Sequence, residues 1–343
     1  MSADPSQAVA PTAWPAAAAA FEGPLFVVGM PRSGTKLLRD LLNGHSCIGI
    51  PCAETEFLPW LVSRVGHCGD LSERANFDRL YAEIVRKSFF TYRANADRLI
   101  PADRWFDACE RTDPAGIFEA LIRVDTNAPR GSGRIWGDKS PSYIDDLPLI
   151  NRLYPEGRVL HMVRDVRDYC VSMQEAWGKD VRRAAQRWAD GVLQARRDGQ
   201  ALGARYAELR YEDLLREPEA ALRRACAFIG VAFEPKMLEL TRPSENIGRA
   251  RGARHVVRGN HGKFAEHMPP KLIADVEALA GPAMQAFGYE PMFPLGAPRR
   301  LSRRRMLLAQ VRDGLKLVRH RQDGKSALSA LMFHLRYFNT TRL

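Results

Sequence analysis

The feature that most constrains the fold is Leu25-Phe26-Val27-Val28-Gly29, a short apolar run that ends in Met30-Pro31-Arg32-Ser33-Gly34 and passes directly into Thr35-Lys36-Leu37-Leu38-Arg39-Asp40-Leu41-Leu42. Apolar residues in the last segment recur at helical spacing, so the order predicts a buried strand, a tight turn and a helix. A turn of this kind gathers consecutive backbone N–H groups and the positive end of a helix dipole at one point, which suits phosphate or sulfate oxygens. A Walker motif puts Lys directly after its second glycine and a Mg²⁺-binding hydroxyl after that. Here Thr35 follows Gly34 and Lys36 comes one place late, which weakens a nucleoside-triphosphatase reading. Arg32 stands inside the loop instead, where a planar guanidinium holds two oxygens of a sulfuryl or phosphoryl group at once.

The rest of the chain repeats the strand-then-helix order. Arg158 to Val163 reads as a buried strand feeding a helix from Arg164 to Trp177. Residues 181–202 form an Arg-rich amphipathic helix, Ala204 to Arg210 a further strand, and Pro218 to Ile229 a helix that stops at Gly230. Residues 55–130 carry mixed helical periodicity and are expected to be a helical insertion, followed by a Pro/Gly/Ser loop and the apolar Ile135-Trp136-Gly137. Alternation of this kind predicts an α/β fold, a parallel sheet with helices on both faces.

A second anion site is legible in the β-to-α join at residue 164. Arg164 falls at the carboxyl end of a strand, the edge where open α/β sheets hold ligands. Ser172 lies eight residues on, about two helical turns away, so both can face one anion.

Composition sets the remaining limits. No run approaches the roughly 20 apolar residues that cross a bilayer. The six cysteines show neither a CxxC pair nor zinc-ligand spacing, which fits a reducing compartment and predicts no metal. The net charge is +11, but Arg299 to Leu343 holds twelve Arg or Lys against two Asp, so ten of those charges lie in the last 45 residues. The body is nearly neutral, which argues against nucleic-acid binding over the whole protein. Pro294, Gly296 and Pro298 mark a linker before that tail. The expected division is a disordered leader over 1–22, one folded domain over 23–293, and a linker with a basic amphipathic tail over 294–343.

Pro31-Arg32-Ser33-Gly34-Thr35 resembles the 5′-phosphosulfate loop of sulfotransferases that use 3′-phosphoadenosine-5′-phosphosulfate (PAPS). The variant with Arg is similar to that of tyrosylprotein sulfotransferases and many bacterial relatives. The resemblance runs from about Pro24 to Pro291 and implies a P-loop-like three-layer fold. It implies that Pro31, Arg32, Ser33, Gly34, Thr35 and Lys36 bind the 5′-phosphosulfate, and that Arg164 and Ser172 hold the 3′-phosphate. Tyr211, in a strand-to-helix join, is placed near the nucleotide, and Arg258, Gly259 and Lys263 in a loop closing over it. Glu54 in Cys52-Ala53-Glu54-Thr55-Glu56 matches the family's proposed base, with one residue more between it and Arg32 than usual, so Glu56 is kept as a second candidate. Lys139 in Gly137-Asp138-Lys139-Ser140-Pro141 matches the cation aimed at the transferring group. His45 is read as structural, at a helix stop.

The implied activity is transfer of a sulfuryl group from PAPS to an acceptor hydroxyl without a metal. A glycan, a lipid, a natural product and a peptide Tyr all remain open as acceptors, and the oligomeric state is not legible. The alternatives are a P-loop nucleotide kinase and a non-catalytic sulfonucleotide-binding protein. A cytoplasmic location is expected. For the tail, from Arg299-Arg300-Leu301 to the apolar residues of Ala327 to Phe338, a solvated helix packed on the body, contact with the inner face of a membrane and an acidic partner stay open.

Overall fold

The structure, a computed structural model, describes residues 21–244 and 250–319. Five strands form one parallel sheet: β1 (Leu25–Gly29), β2 (Ile48–Gly49), β3 (Ile135–Lys139), β4 (Arg158–Val163) and β5 (Tyr206–Arg210), in the order β2-β3-β1-β4-β5. The first strand is therefore central, and the loop that follows it opens at the middle of the sheet edge. Helix α1 (Thr35–Leu42) follows that loop. The insertion between β2 and β3 contains α2 (Leu58–Val65), α3 (Arg74–Ile84), α4 (Ser88–Ala94), α5 (Ala102–Asp107) and α6 (Pro114–Thr126). Then come α7 (Leu147–Leu153), α8 (Val166–Trp177), α9 (Val181–Gln200), α10 (Tyr211–Arg216), α11 (Pro218–Ile229), α12 (Phe264–His267), α13 (Pro270–Ala286) and α14 (Arg303–Arg319).

Alternation along β1 divides the core into two layers. Leu25 and Val27 join Leu38, Leu209 and Leu222 under α1, α10 and α11, whereas Phe26 and Val28 join Trp136, Val163 and Trp188 under the insertion and α8, α9 and α13. Successive residues of a strand face opposite sides, so a continuous apolar run is what a sheet covered on both faces requires. The three-layer α/β expectation holds.

Local signals located elements well. Pro218–Ile229 is helical to the residue and ends at Gly230, which takes the left-handed conformation with φ 88°. Helix α8 starts two residues later than Arg164, because Asp165 caps it by accepting from the Arg167 N–H at 2.8 Å. The last two residues assigned to the leader are joined to the body. The Glu22 carbonyl accepts from Trp136 N at 3.1 Å, and the Arg158 guanidinium lies 4.1 Å from the centre of the Phe21 ring. The Pro/Gly linker lies on the body too, with Phe293 N donating to Glu277 at 3.0 Å and Arg299 N to the Ala278 carbonyl at 3.1 Å. The expectations for residues 1–20 and for Ala327 to Phe338 fall outside the described residues.

Candidate active site

The strand register brings the carboxyl ends of the three central strands to one edge. Val27 is level with Lys139, and Gly29 is level with Met162, so the loop after β1, the end of β3 and the turn after β4 open side by side. In the loop, Arg32 is held at φ 69° and Gly34 at φ 91°. A side chain at Gly34 would bring its Cβ to 2.3 Å from the Tyr211 ring, so that position needs glycine on both conformational and steric grounds. No side chain caps the N-terminus of α1, and the first-turn N–H groups of a helix have no intrahelical partner. Beside them the Ser33 hydroxyl is fully buried and has no hydrogen-bond partner among the described residues. An orphaned buried hydroxyl at an uncapped helix start fits tetrahedral anion oxygens.

The two arginines predicted from separate motifs meet. Arg164 Nη1 donates to the Arg32 carbonyl at 2.9 Å, and Arg32 Nε donates to Ser172 Oγ at 3.2 Å. Arg164 is buried, and its other contacts are the Asn260 carbonyl at 3.4 Å and the face of Tyr211 at 4.6 Å, while its Nε has no partner. No carboxylate among the described residues pairs with it. Arg167, three residues on and equally buried, shows the contrast: it forks onto Asp165 at 3.0 and 2.6 Å and reaches Glu277 at 2.7 Å. One guanidinium is neutralised in the fold. The other is a buried charge that an anion would compensate.

The neighbouring part of this edge is built from β3 and the segment after β2. Lys139 is buried, and its ammonium pairs with the carboxylate of Glu54, whose side chain is 41% exposed. The backbone carrying Glu54 is fastened on two sides. On one, Asn43, just after α1, exchanges two hydrogen bonds of 2.8 Å with the Ile50 backbone, and Arg39 donates to the Cys52 carbonyl. On the other, Thr55 N donates to Ser140 Oγ at 3.0 Å, and the Thr55 hydroxyl lies 2.7 Å from that of Tyr143, which also accepts from Leu58 N. Asp138 is fully buried beneath this knot with both oxygens unpartnered. Burial pushes its carboxyl up to about 7, and Glu54 adds to the rise; the nearby Ser140 and Thr55 hydroxyls and the Lys139 ammonium pull the other way. Those hydroxyls are engaged with each other and with Tyr143.

The remaining predicted residues divide. Tyr211 is buried between Gly34 and Arg164, and its hydroxyl accepts from Asn260 Nδ2 at 2.8 Å. Thr35 is buried at the start of α1, with Pro31 and Lys36 partly exposed around it. Arg258 and Gly259 are exposed; the residue of that segment that reaches Arg164 and Tyr211 is Asn260. Lys263 is buried, in a turn whose Gly262 and Phe264 N–H groups donate to Asp168 at 2.6 and 3.1 Å. His45 bonds the Ala232 carbonyl at 2.8 Å, away from these contacts. Glu56 takes a positive φ of 53°, and its N–H donates to Ser140 Oγ at 3.3 Å. Thr55, Asn260 and Asp168 were not singled out from the sequence. The signal for Thr55 was its place directly after Glu54; for the other two there was none, because their partners lie 49 or more residues away along the chain.

A profile described as the Sulfotransferase family matches residues 24–235. Protein-tyrosine sulfotransferase A of Caenorhabditis elegans is 22% identical over 287 residues, covering 78% of this chain and 67% of its own length. Protein-tyrosine sulfotransferase 2 of Gallus gallus is 25% identical over 289 residues, covering 78% and 69%. Among solved structures, the sulfotransferase domain from the curacin biosynthetic pathway aligns with a TM-score of 0.51 at 21% identity, over 79% of this chain and 99% of that one.

Proposed function

The chain belongs to the sulfotransferase family, and from that premise we propose that it transfers the sulfuryl group of PAPS to an acceptor hydroxyl, with its own side chains meeting the charge of the donor. The observation that carries this reading is the pair of contacts from Arg164 to the Arg32 carbonyl and from Arg32 to Ser172, which joins two anion-binding motifs into one network. In it, the loop Pro31 to Lys36 receives the 5′-phosphosulfate, and Arg164 and Ser172 receive the 3′-phosphate. Tyr211, Asn260 and the Lys263 turn support that end, and Arg258 is exposed beside it.

The reaction breaks the bond between sulfur and the oxygen of the 5′-phosphate and forms one between sulfur and the acceptor oxygen. The leaving electron pair stays on the phosphate oxygen, where Arg32 and Lys139 stabilise it, and the acceptor proton passes to Glu54. The ion pair suits this division of work. The Lys139 ammonium lies against the Glu54 carboxylate, and the exposure of Glu54 gives an acceptor access to it. Catalysis is then mainly alignment and charge stabilisation, as in phosphoryl transfer. A glycan, lipid, natural product or peptide tyrosine supplies the hydroxyl, and the active chain is cytoplasmic.

The test is transfer of labelled sulfate from PAPS to a cell extract by the wild type, Arg32→Ala and Glu54→Ala. Loss of the labelled products in both variants is the expected result, with nucleotide binding retained in Glu54→Ala. An unchanged product pattern in all three proteins removes this site assignment.

A further inference from the structure

Helix α14 presents two faces of different chemistry. Its start is capped by Ser302, whose hydroxyl accepts from Arg305 N at 3.4 Å. Its inner face is fixed to the body by Asp313, which is buried and accepts from Arg183 Nη1 and from Asp180 N, both at 2.8 Å, with Ala309 buried one turn earlier. At 100° per residue, the arc opposite these two contains Arg304, Leu307, Leu308 and Val311. The three apolar residues are 62%, 57% and 52% exposed. They are three of the seven large apolar side chains exposed among the described residues, so this is a concentration and not the usual scatter.

Basic residues border the stripe. Arg303 lies along one edge, Arg305 and Arg312 along the other, and no carboxylate among the described residues pairs with any of the four arginines. Arg303, Arg304 and Arg305 occupy the first turn, which has no acidic residue, so they oppose the helix dipole and cost helix stability. A segment that breaks a local rule this way calls for a compensating contact.

We propose that the outward face of α14 docks the protein on an anionic lipid surface. Leu307, Leu308 and Val311 enter the boundary between headgroups and acyl chains, while Arg303, Arg304, Arg305 and Arg312 meet lipid phosphates. Charge complementarity alone would also suit a nucleic acid or an acidic protein, but a polyanion leaves the apolar stripe in water. An apolar stripe inside a basic belt, on a helix lying flat against a folded body, is the arrangement of an interfacial helix. No described helix is long and apolar enough to cross a membrane, so docking would be peripheral.

Sedimentation of the full chain with vesicles tests this, and it needs neither donor nor acceptor, so its outcome is separable from that of the transfer assay. Vesicles of equal parts phosphatidylcholine and phosphatidylglycerol are expected to pellet the protein, in a salt-dependent manner, and pure phosphatidylcholine is not. Leu307→Ser with Leu308→Ser should lower partitioning on the order of tenfold with the salt dependence kept. Arg303→Gln, Arg304→Gln and Arg305→Gln together should lower it on the order of a hundredfold and flatten that dependence. All these residues are exposed, so both variants should unfold at the wild-type temperature. Three results would overturn the proposal: equal pelleting with both vesicles, no pelleting with either, or partitioning unchanged by the Ser substitutions. So would ultracentrifugation showing a dimer that the Ser substitutions dissociate, or tight RNA-oligonucleotide binding that they leave intact.

Discussion

The two ends of the site, the one proposed to hold the nucleotide and the one proposed to carry the transfer, handle charge in opposite ways. At the first, Arg164 is buried against two carbonyls and an aromatic face, with no acid among the described residues to balance it. At the second, Lys139 is just as buried but already holds the carboxylate of Glu54. A buried cation without a counter-ion is costly and is relieved by an anion from outside, so it favours binding. A matched pair gains little from another ion. What it offers is a proton acceptor and a positive charge held side by side, ready for chemistry. The difference separates holding the donor from reacting with it, within one sheet edge.

The sharpest way to break this comparison is Glu54→Gln, expected to lower transfer by about 10²- to 10⁴-fold while leaving the affinity for the product nucleotide, 3′-phosphoadenosine 5′-phosphate, nearly unchanged. Titration calorimetry beside the transfer assay reads both quantities, and a matching loss of affinity would merge the two ends into one. Lys139→Met should reduce turnover by about 10²- to 10³-fold, again with the nucleotide still bound. Next come two neighbours of the same type. Arg167→Gln, which leaves Asp165 and Glu277 without their cation, should cost about 3–5 kcal/mol of folding stability in urea denaturation. Arg164→Gln should leave stability unchanged or raised and weaken nucleotide binding on the order of tenfold to a hundredfold. If the two variants behaved alike, the distinction between a neutralised and an unneutralised guanidinium would have no functional content.

The smallest effect concerns whether the Lys139 end carries one acid or two. Asp138 is held up at about 7 by burial, above its unfolded value near 4. Between those two pH values the folded chain binds more protons at this group than the unfolded chain does. Its contribution to stability is therefore greatest below pH 4 and is lost as pH rises towards 7, by at most about 1.4 kcal/mol per pH unit. Asp138→Asn should remove that slope, which urea midpoints for both proteins at pH 4.5 and 7 would reveal. Parallel slopes would mean that Asp138 is ionised in the fold and that Lys139 faces two carboxylates.

The parts of this molecule that sequence reasoning reached are those with a local code. Apolar continuity located β1 and β4, a Pro at the start and a Gly at the end bounded Pro218–Ile229, and the glycine and arginine of the loop pointed to an anion site before any contact was known. Strand β2 escaped notice because two residues carry no periodicity. Arg258 was expected over the nucleotide from the resemblance of its Gly-rich basic segment to a closing loop; within that segment Asn260 reaches Arg164 and Tyr211, a pairing across 96 and 49 residues that leaves no trace in spacing. The tie between Thr55 and Ser140 is likewise invisible, although the residues on either side of it, Glu54 and Lys139, were both legible.

That tie has a consequence for how such a protein can change. Thr55 is bolted to Ser140 and Tyr143 just past the carboxyl end of β3, and the N–H of Leu58, the first residue of α2, donates to the same Tyr143 hydroxyl. Glu54, the proposed base, therefore takes its coordinates from the segment after β3 as well as from the first residue of α2. The helices of the insertion share their core with the sheet through contacts such as Phe118 on Trp136, so changes that spare this inner layer leave the carboxylate in register while the outer surface is refitted for new molecules.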